Sequence, residues 1–429
     1  MREMKDSGVQ WLGRIPKAWG LDKIVSLYSE RSTKVSDRDY PALSVTKQGI
    51  VPQLDSAAKT DNGDNRKLIK KNDFVINSRS DRRGSCGISE YEGSCSLINT
   101  VLAPKNNMVN QYYNYLFKTA LFADEFYKWG NGIVDDLWST KWSSMKNIMV
   151  PFPPLEEQRA IADYLDTKCT QIDTIIAREQ SVIEKLQEYR QSIITETVTN
   201  GLDSTVSMVA SNVEWIDKIP LDWKITRFTK SFEFFKGLNI KKTDLVDSGV
   251  CVVSYGQVHA KNNNGYSLQD NLIRYVAENL IDGKSLLQEG DFVFADTSED
   301  LDGVGNCIYI DSSNEIYAGY HTLVARCFDE RICTKYFAFL FLTDIWRSQL
   351  RKNANGTKVY SVTQKMFKTV SCLVPPVEEQ LKIVSYLEQK CDAIDRVISQ
   401  KLTIIDTLAE YKRSLIYEVV TGKKEVPHV

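Results

Sequence analysis

Residues 150–201 read VPFPPLEEQRAIADYLDTKCTQIDTIIAREQSVIEKLQEYRQSIITETVTNG, and residues 371–423 read SCLVPPVEEQLKIVSYLEQKCDAIDRVISQKLTIIDTLAEYKRSLIYEVVTGK. Slid past one another, they superpose Pro153, Pro154, Glu156, Glu157 and Gln158 on Pro375, Pro376, Glu378, Glu379 and Gln380. The match continues with Ile161, Tyr164, Leu165, Cys169, Ile172, Asp173 and Tyr189 against Ile383, Tyr386, Leu387, Cys391, Ile394, Asp395 and Tyr411. A run of that length is an internal duplication, and a duplication fixes the architecture before any local prediction is made.

Each copy carries the signs of a long helix. Paired prolines stop what precedes, two glutamates suit the positive end of the helix dipole, and a glycine follows the last periodic residue. Apolar residues then recur at steps of three, four and seven. They are Ile161, Leu165, Cys169, Ile172, Ile176, Ile183, Leu186 and Ile193 in the first copy, and Ile383, Leu387, Cys391, Ile394, Ile398, Ile405, Leu408 and Leu415 in the second. One stripe along a helix of about 40 residues, roughly 60 Å long, needs a partner to cover it. Because both copies carry it, the expected arrangement is an antiparallel two-helix coiled coil with an approximate two-fold axis. The alternative is two independent helices, each lying on its own domain.

A shorter match lies upstream: GVQWLGRIPKAW from Gly8 and NVEWIDKIPLDW from Asn212 share Trp11, Ile15, Pro16 and Trp19 with Trp215, Ile219, Pro220 and Trp223. Between the matches the copies differ, apart from fragments such as NDFV at Asn72 against GDFV at Gly290 and NG at Asn131 against NG at Asn355. These middles mix β-rich runs (DFVIN at Asp73, LIRYV at Leu272, DFVFA at Asp291) with Gly, Asn and Asp turns, and a short amphipathic helix precedes each NG, over 111–129 and 335–350. The fold class is therefore α+β: two α/β domains at 1–150 and 202–372, separated by long helical segments at 151–201 and 373–429.

Composition narrows the function. No stretch approaches the roughly 18 apolar residues of a membrane span and the first residues lack a signal peptide's apolar centre, so a cytoplasmic protein is expected. The nine cysteines include no C-x-x-C pair and the three histidines are scattered, so no metal site is expected. The net charge of −2 argues on its face against nucleic-acid binding. The average hides segregation, since residues 1–150 carry 22 Lys and Arg against 17 Asp and Glu. No amino-methyltransferase N-P-P-[FY] or D-P-P-[FY] tetrapeptide, Gly-rich cofactor loop or P-loop is present, which weighs against an enzyme and leaves no cofactor expected.

With PFPPLEEQ at Pro151, LVPPVEEQ at Leu373, and the openings VQWLGRIPKAW and VEWIDKIPLDW, the chain resembles the specificity subunit of a type I restriction-modification system over nearly its whole length. The resemblance implies two target-recognition domains, each reading one half of a split site on double-stranded DNA, with the helices fixing the distance between halves. It also implies docking of methyltransferase subunits, two of them, and recruitment of restriction and translocation subunits by the complex. No catalysis is implied for this chain itself.

Base-edge reading favours Arg or Lys for guanine and Asn or Gln for adenine, with aromatics close by. In the first domain the best cluster is Arg79, Arg82 and Arg83, supported by Lys47, Gln48, Lys128, Asn131 and Lys141. In the second it is Gln257, His259, Lys261 and Asn262, supported by His321, Arg351, Lys352, Lys358 and Gln364. The equivalent NG elements, followed by Trp138-Ser139 and Tyr360-Ser361, read either as turns or as DNA-facing loops. A coiled-coil scaffold that binds only proteins is the competing reading, and it predicts no sequence-dependent DNA binding.

Overall fold

A computed structural model describes residues 2–53, 63–132, 138–354, 356 and 358–427. The chain forms two compact units, one from Met1–Gln180 with Leu402–Val429 and the other from Ser181–Lys401. Each unit thus combines one variable middle with half of each long helix.

In unit 1, strand Phe74–Asn77 lies between Cys86–Ile88 and Asn99–Pro104, with Tyr28–Glu30 on the far edge of Asn99–Pro104. Helices α1 (Asn110–Phe117) and α2 (Ala120–Lys128) cover this sheet, and Tyr28, Phe74, Phe117 and Phe122 fill the space between. Helix α3 (Leu155–Asn200) begins in this unit. Unit 2 repeats the sheet in the same order: Phe292–Ala295 lies between Cys307–Tyr309 and Thr322–Cys327, with Phe232–Lys236 at the edge. It has its own pair of covering helices, α4 (Thr334–Phe341) and α5 (Asp344–Arg351), and α6 (Val377–Val420) begins here.

The stretches 111–129 and 335–350, each expected as one helix, are each two. Thr119 Oγ1 donates to Leu116 O (2.7 Å) and accepts from Phe122 N–H (3.3 Å), ending α1 and capping α2. Thr343 does the same between Leu340 O (2.7 Å) and Trp346 N–H (3.3 Å). A threonine that satisfies both a last carbonyl and a new first-turn amide turns the chain where the apolar period alone runs on. The run LIRYV is a strand only over Arg274–Val276, after a 3-10 turn at Asp270–Leu272.

The repeated motifs meet in space, which explains why they are repeated. Strand Gly20–Lys23 pairs with Met149–Phe152, and Lys224–Arg227 with Ser371–Val374, bringing each domain's opening beside the start of its long helix. There Trp19 Nε1 donates to Glu157 Oε2 and Trp223 Nε1 to Glu379 Oε2, both at 2.8 Å. The buried Gln158 amide accepts from Val109 N–H and donates to Pro153 O, each at 2.9 Å. Gln380 likewise accepts from Cys333 N–H (2.9 Å) and donates to Pro375 O (2.8 Å).

The end of the opposite long helix reaches the same clamp. In unit 1, Gly422 at φ 70° would carry a Cβ only 2.3 Å from Pro16 Cγ and 3.0 Å from Trp19. In unit 2, Gly201 at φ 80° would carry one 2.7 Å from Glu379 and 3.3 Å from Trp223. A left-handed glycine just past a helix satisfies the end carbonyls at no steric cost. The start of one helix therefore lies at the end of the other within each unit. Further along, Lys412 Nζ holds both Asp173 oxygens at 2.7 and 2.6 Å in unit 1, and Arg190 holds Asp395 at 2.5 Å in unit 2. The two long helices pack antiparallel, so the alternative of independent helices is set aside.

The core of unit 1 contains Ile161, Leu165, Ile172 and Leu415, with Ile176 and Leu408 packed against it. That of unit 2 contains Ile193, Ile383, Leu387 and Ile394, with Leu186 and Ile398 against it. Ile183 is buried and Ile405 half-buried. The domains add hydrogen bonds to the helix ends: Tyr112 OH donates to Val420 O (2.8 Å) and its counterpart Tyr336 OH to Val198 O (3.1 Å). Among the described residues no helix is long and apolar enough to cross a membrane.

Candidate nucleic-acid interface

The repeated DFV fragment is the root of a loop in both units. Asp73 binds Arg31 through both oxygens (2.6 and 3.0 Å), and Asp291 binds Arg326 in the same bidentate way (2.9 and 2.5 Å). Such forked pairs fix geometry as well as charge, and here they anchor the strand that leads out to the surface.

In unit 1 that strand runs into residues 78–84, held from the side by Trp138, Ser139 and Thr140. Arg79 and Asn131 both form β-bridges to Ser139, Thr140 N–H donates to Ser78 O (2.9 Å), and Ser80 N–H to Trp138 O (3.0 Å). The structure therefore brings Arg79, Asn131, Trp138 and Ser139 to one rim. Arg79 Nε lies 3.0 Å from Asp81, Arg82 lies 3.7 Å from the same carboxylate, and Arg83 pairs with Asp124 while lying 5.7 Å from the centre of the Tyr127 ring. Lys128 is exposed and paired with Glu125 at 3.5 Å, and Lys141 is exposed just before a helical turn at Trp142–Met145. Lys47 and Gln48 form the exposed two-residue tip of the Leu43–Thr46 and Gly49–Pro52 hairpin.

Unit 2 uses the same frame with unlike side chains. Thr297–Ser298 pairs with Tyr360–Ser361, and Val362 N–H donates to Asp296 O (2.7 Å), the counterpart of the Thr140 to Ser78 bond. The loop that carries Arg79, Arg82 and Arg83 in unit 1 here carries Glu299, Asp300 and Asp302, which line a depression of about 450 Å³ with Tyr255 and His259. His259 Nε2 is 2.9 Å from Thr297 O and Nδ1 is 3.1 Å from Asn306 Nδ2. A carbonyl only accepts, so Nε2 is the donor to Thr297 O. His321, at φ 53°, sets Nδ1 3.2 Å from Asp296. The structure brings His259, His321 and Tyr255 together.

The other candidates of unit 2 are spread out. Gln257 is buried, its amide oxygen accepting from Ser254 N–H at 3.2 Å. Lys261 and Asn262 are exposed, and Asn262 donates to Asn271 (3.0 Å). Arg351 is bound to Asp344 (2.9 Å) and Asp302 O (3.1 Å), and Lys352 to Glu214 (2.5 Å). Lys358 is exposed and Gln364 opens a helical turn at Gln364–Phe367. Asn355 lies outside the described residues.

Two features of the interface escaped the sequence reading. Lys118 and Arg413 join Lys47 and Arg83 around one groove of unit 1, although the four are far apart in the chain. The acidic loop of unit 2 could have been found, because aligning NDFV with GDFV already places SRSDRRG opposite DTSEDLD. The nine cysteines are free thiols, and burial pushes Cys86 and Cys307 up to about 12, so these two are packing groups at neutral pH.

The chain is thus a duplicated α+β protein whose two units each present a loop-bearing face beside paired long helices. A family model for the type I restriction modification DNA specificity domain matches residues 30–185 and again 220–404. The chain belongs to the family of type I restriction-modification specificity subunits. The type I restriction enzyme MjaVIII specificity subunit of Methanocaldococcus jannaschii is 23% identical over 84% of this chain and 81% of its own length. The EcoKI specificity subunit of Escherichia coli K12 is 24% identical over 80% of this chain and 73% of its own length. Among solved structures, a chain from work on complex assembly and conformational transition of the type I R-M system has a TM-score of 0.69 at 12% identity, covering 96% of this chain and 99% of that one. The HsdS subunit of Thermoanaerobacter tengcongensis has a TM-score of 0.50 at 13% identity, covering 96% of this chain and 98% of its own. At these identities the structural likeness concerns the fold alone.

Proposed function

We propose that this chain reads a two-part sequence on double-stranded DNA, one half per variable domain (1–150 and 202–372), and does no chemistry itself. The helical segments 151–201 and 373–429 act as the spacer, and methyltransferase subunits, through them restriction and translocation subunits, assemble on it in the cytoplasm. The observation that carries this reading is the twin frame with unlike loops: residues 78–84 are rich in arginine, whereas the equivalent residues 296–302 are rich in carboxylates. Two readers built alike but charged oppositely suit two different half-sites, since arginine pairs with guanine edges and carboxylates accept from exocyclic amines.

The spacer role is supported by helices of 46 and 44 residues, each more than three times the average globular helix of about 10–14 residues. Docking is supported by apolar residues that the chain leaves uncovered. In unit 2 Val182 and Tyr189, seven residues apart on α3, are exposed, as is Val397 on α6; in unit 1 the equivalents are Ile404, Tyr411 and Ile175. A second heptad-spaced apolar face on a helix already paired on its first is what an added helix would cover.

Sequencing the methylated positions in a host that carries this chain and its methyltransferase tests the reading. A split motif with one fixed gap is expected, and exchanging residues 1–150 for those of another specificity subunit changes one half only. An uninterrupted motif sinks the two-part reading, and the absence of any motif favours a protein-only scaffold.

A further inference from the structure

The groove of unit 1 points to a contact that resting on base-reading loops alone would miss. It has a volume of about 620 Å³ and is walled by the hairpin tip at Lys47, the loop at Arg83, the α1–α2 junction at Lys118 and Thr119, and the face of α6 at Arg413 and Tyr417, with apolar side chains of α2 and α6 also lining it. Four cations from four separate elements thus converge on one concavity. Arg83 is paired with Asp124, whereas Lys47, Lys118 and Arg413 have no acidic partner among the described residues. The first turn of α2, capped by Thr119, opens onto the same space, and its amide dipoles add to the positive potential.

The duplication supplies an internal control. By the helix alignment the counterpart of Arg413 is Gln191, and by the capping threonines that of Lys118 is Leu342. In unit 2 these two neutral residues bond directly, Gln191 Nε2 donating to Leu342 O at 2.9 Å. The residue after the cap is Ala120 in unit 1 but Asp344 in unit 2, and an acid at a helix N-terminus already occupies the place an anion would take. The same junction is therefore closed and neutral in one copy, and open and cationic in the other.

We infer that this groove seats a backbone phosphate of the DNA held by unit 1, with Lys118 and the spacer-helix residue Arg413 as its ligands beside Lys47. The inference rests on the DNA-reading function proposed above and extends it: the long helix is a DNA contact as well as a spacer, on one side only. Phosphate contacts position without specifying, so the groove contributes affinity and register but no sequence preference.

The test grafts the residues of unit 2 onto unit 1. The full chain with its methyltransferase is titrated with its cognate duplex at several salt concentrations, comparing wild type with Lys118→Leu/Arg413→Gln and with Arg413→Lys. Each phosphate contact adds about 0.9 to the slope of log affinity against log salt. The double variant is expected to bind about tenfold more weakly at 0.15 M salt, with a slope shallower by about one, an unchanged methylation motif and an unchanged melting temperature. Arg413→Lys, which keeps the charge, should retain most of the affinity. Wild-type affinity and slope in the double variant would overturn the groove while leaving the DNA-reading function intact. Loss of methyltransferase association with an unchanged slope overturns it too and makes the groove a protein-docking surface. Failure of the wild-type complex to bind any duplex instead refutes the DNA-reading function itself, and the phosphate site with it.

Discussion

Replacing Gln158 by Met removes two hydrogen bonds while keeping an unbranched side chain of nearly the same volume. Gln158 is buried, and its amide is shared between Val109 N–H and Pro153 O. A buried backbone group left without a partner costs about 1–3 kcal/mol, and a volume-conserving swap adds little. The two orphaned groups together give about 3 kcal/mol, or about a hundredfold more frequent opening where α3 docks on the domain. Hydrogen exchange under native conditions reads this directly: amides of Asn110–Phe117 and of the first turns of α3 should lose about a hundredfold in protection, while those around Thr334–Phe341 stay unchanged. Gln380→Met should produce the mirror image. Should either variant shift local protection by less than threefold, or should both loosen the same segment, the clamp does not hold the helix to the domain and the account of the PPxEEQ repeat is wrong.

Three further outcomes are expected. Asp73→Asn leaves Arg31 a half-buried cation without its forked partner and should destabilise unit 1 by about 3 kcal/mol in urea unfolding, since breaking a buried pair costs more than the pair contributes. Val182→Glu/Tyr189→Glu, at positions 39% and 56% exposed, should change stability by less than about 0.5 kcal/mol yet abolish co-purification with the methyltransferase; full complex formation would show that this face is not the docking surface. Burial holds Cys86, Cys307 and Cys391 protonated up to about 12 against an ordinary 9.0. Their unfolded thiols ionise near the ordinary value, so the stability they contribute is complete below about pH 9 and is lost as pH rises towards 12. The urea midpoint should therefore fall between pH 8 and pH 10.5, and fall less in a variant with alanine at all three positions.

What could be read in the chain alone was whatever is periodic or duplicated. The stripe from Ile161 to Ile193 and its copy announce two long helices that cover one another, because an apolar face on a free helix cannot stay in water. The repeat of Trp19, Pro154 and Glu157 as Trp223, Pro376 and Glu379 shows that something is kept twice. It does not show that the tryptophan indole and the glutamate are partners. That depends on Gly20–Lys23 pairing with Met149–Phe152 across the whole domain, a long-range contact with no local signature. Local chemistry also overrode the period at Thr119 and Thr343, whose hydroxyls end one helix and start the next.

The candidate interface divides the same way. Clusters contiguous in sequence, such as Arg79, Arg82 and Arg83, were visible as charge. Lys47, Lys118 and Arg413 stand alone in the sequence, each an ordinary surface cation, and become a site only because a hairpin tip, a helix junction and the far end of the chain converge. The duplication, the helices and the family are properties of residue order, which survives unfolding. The clamp, the oppositely charged twin loops and the cationic groove are properties of proximity between distant segments, and only folding creates that.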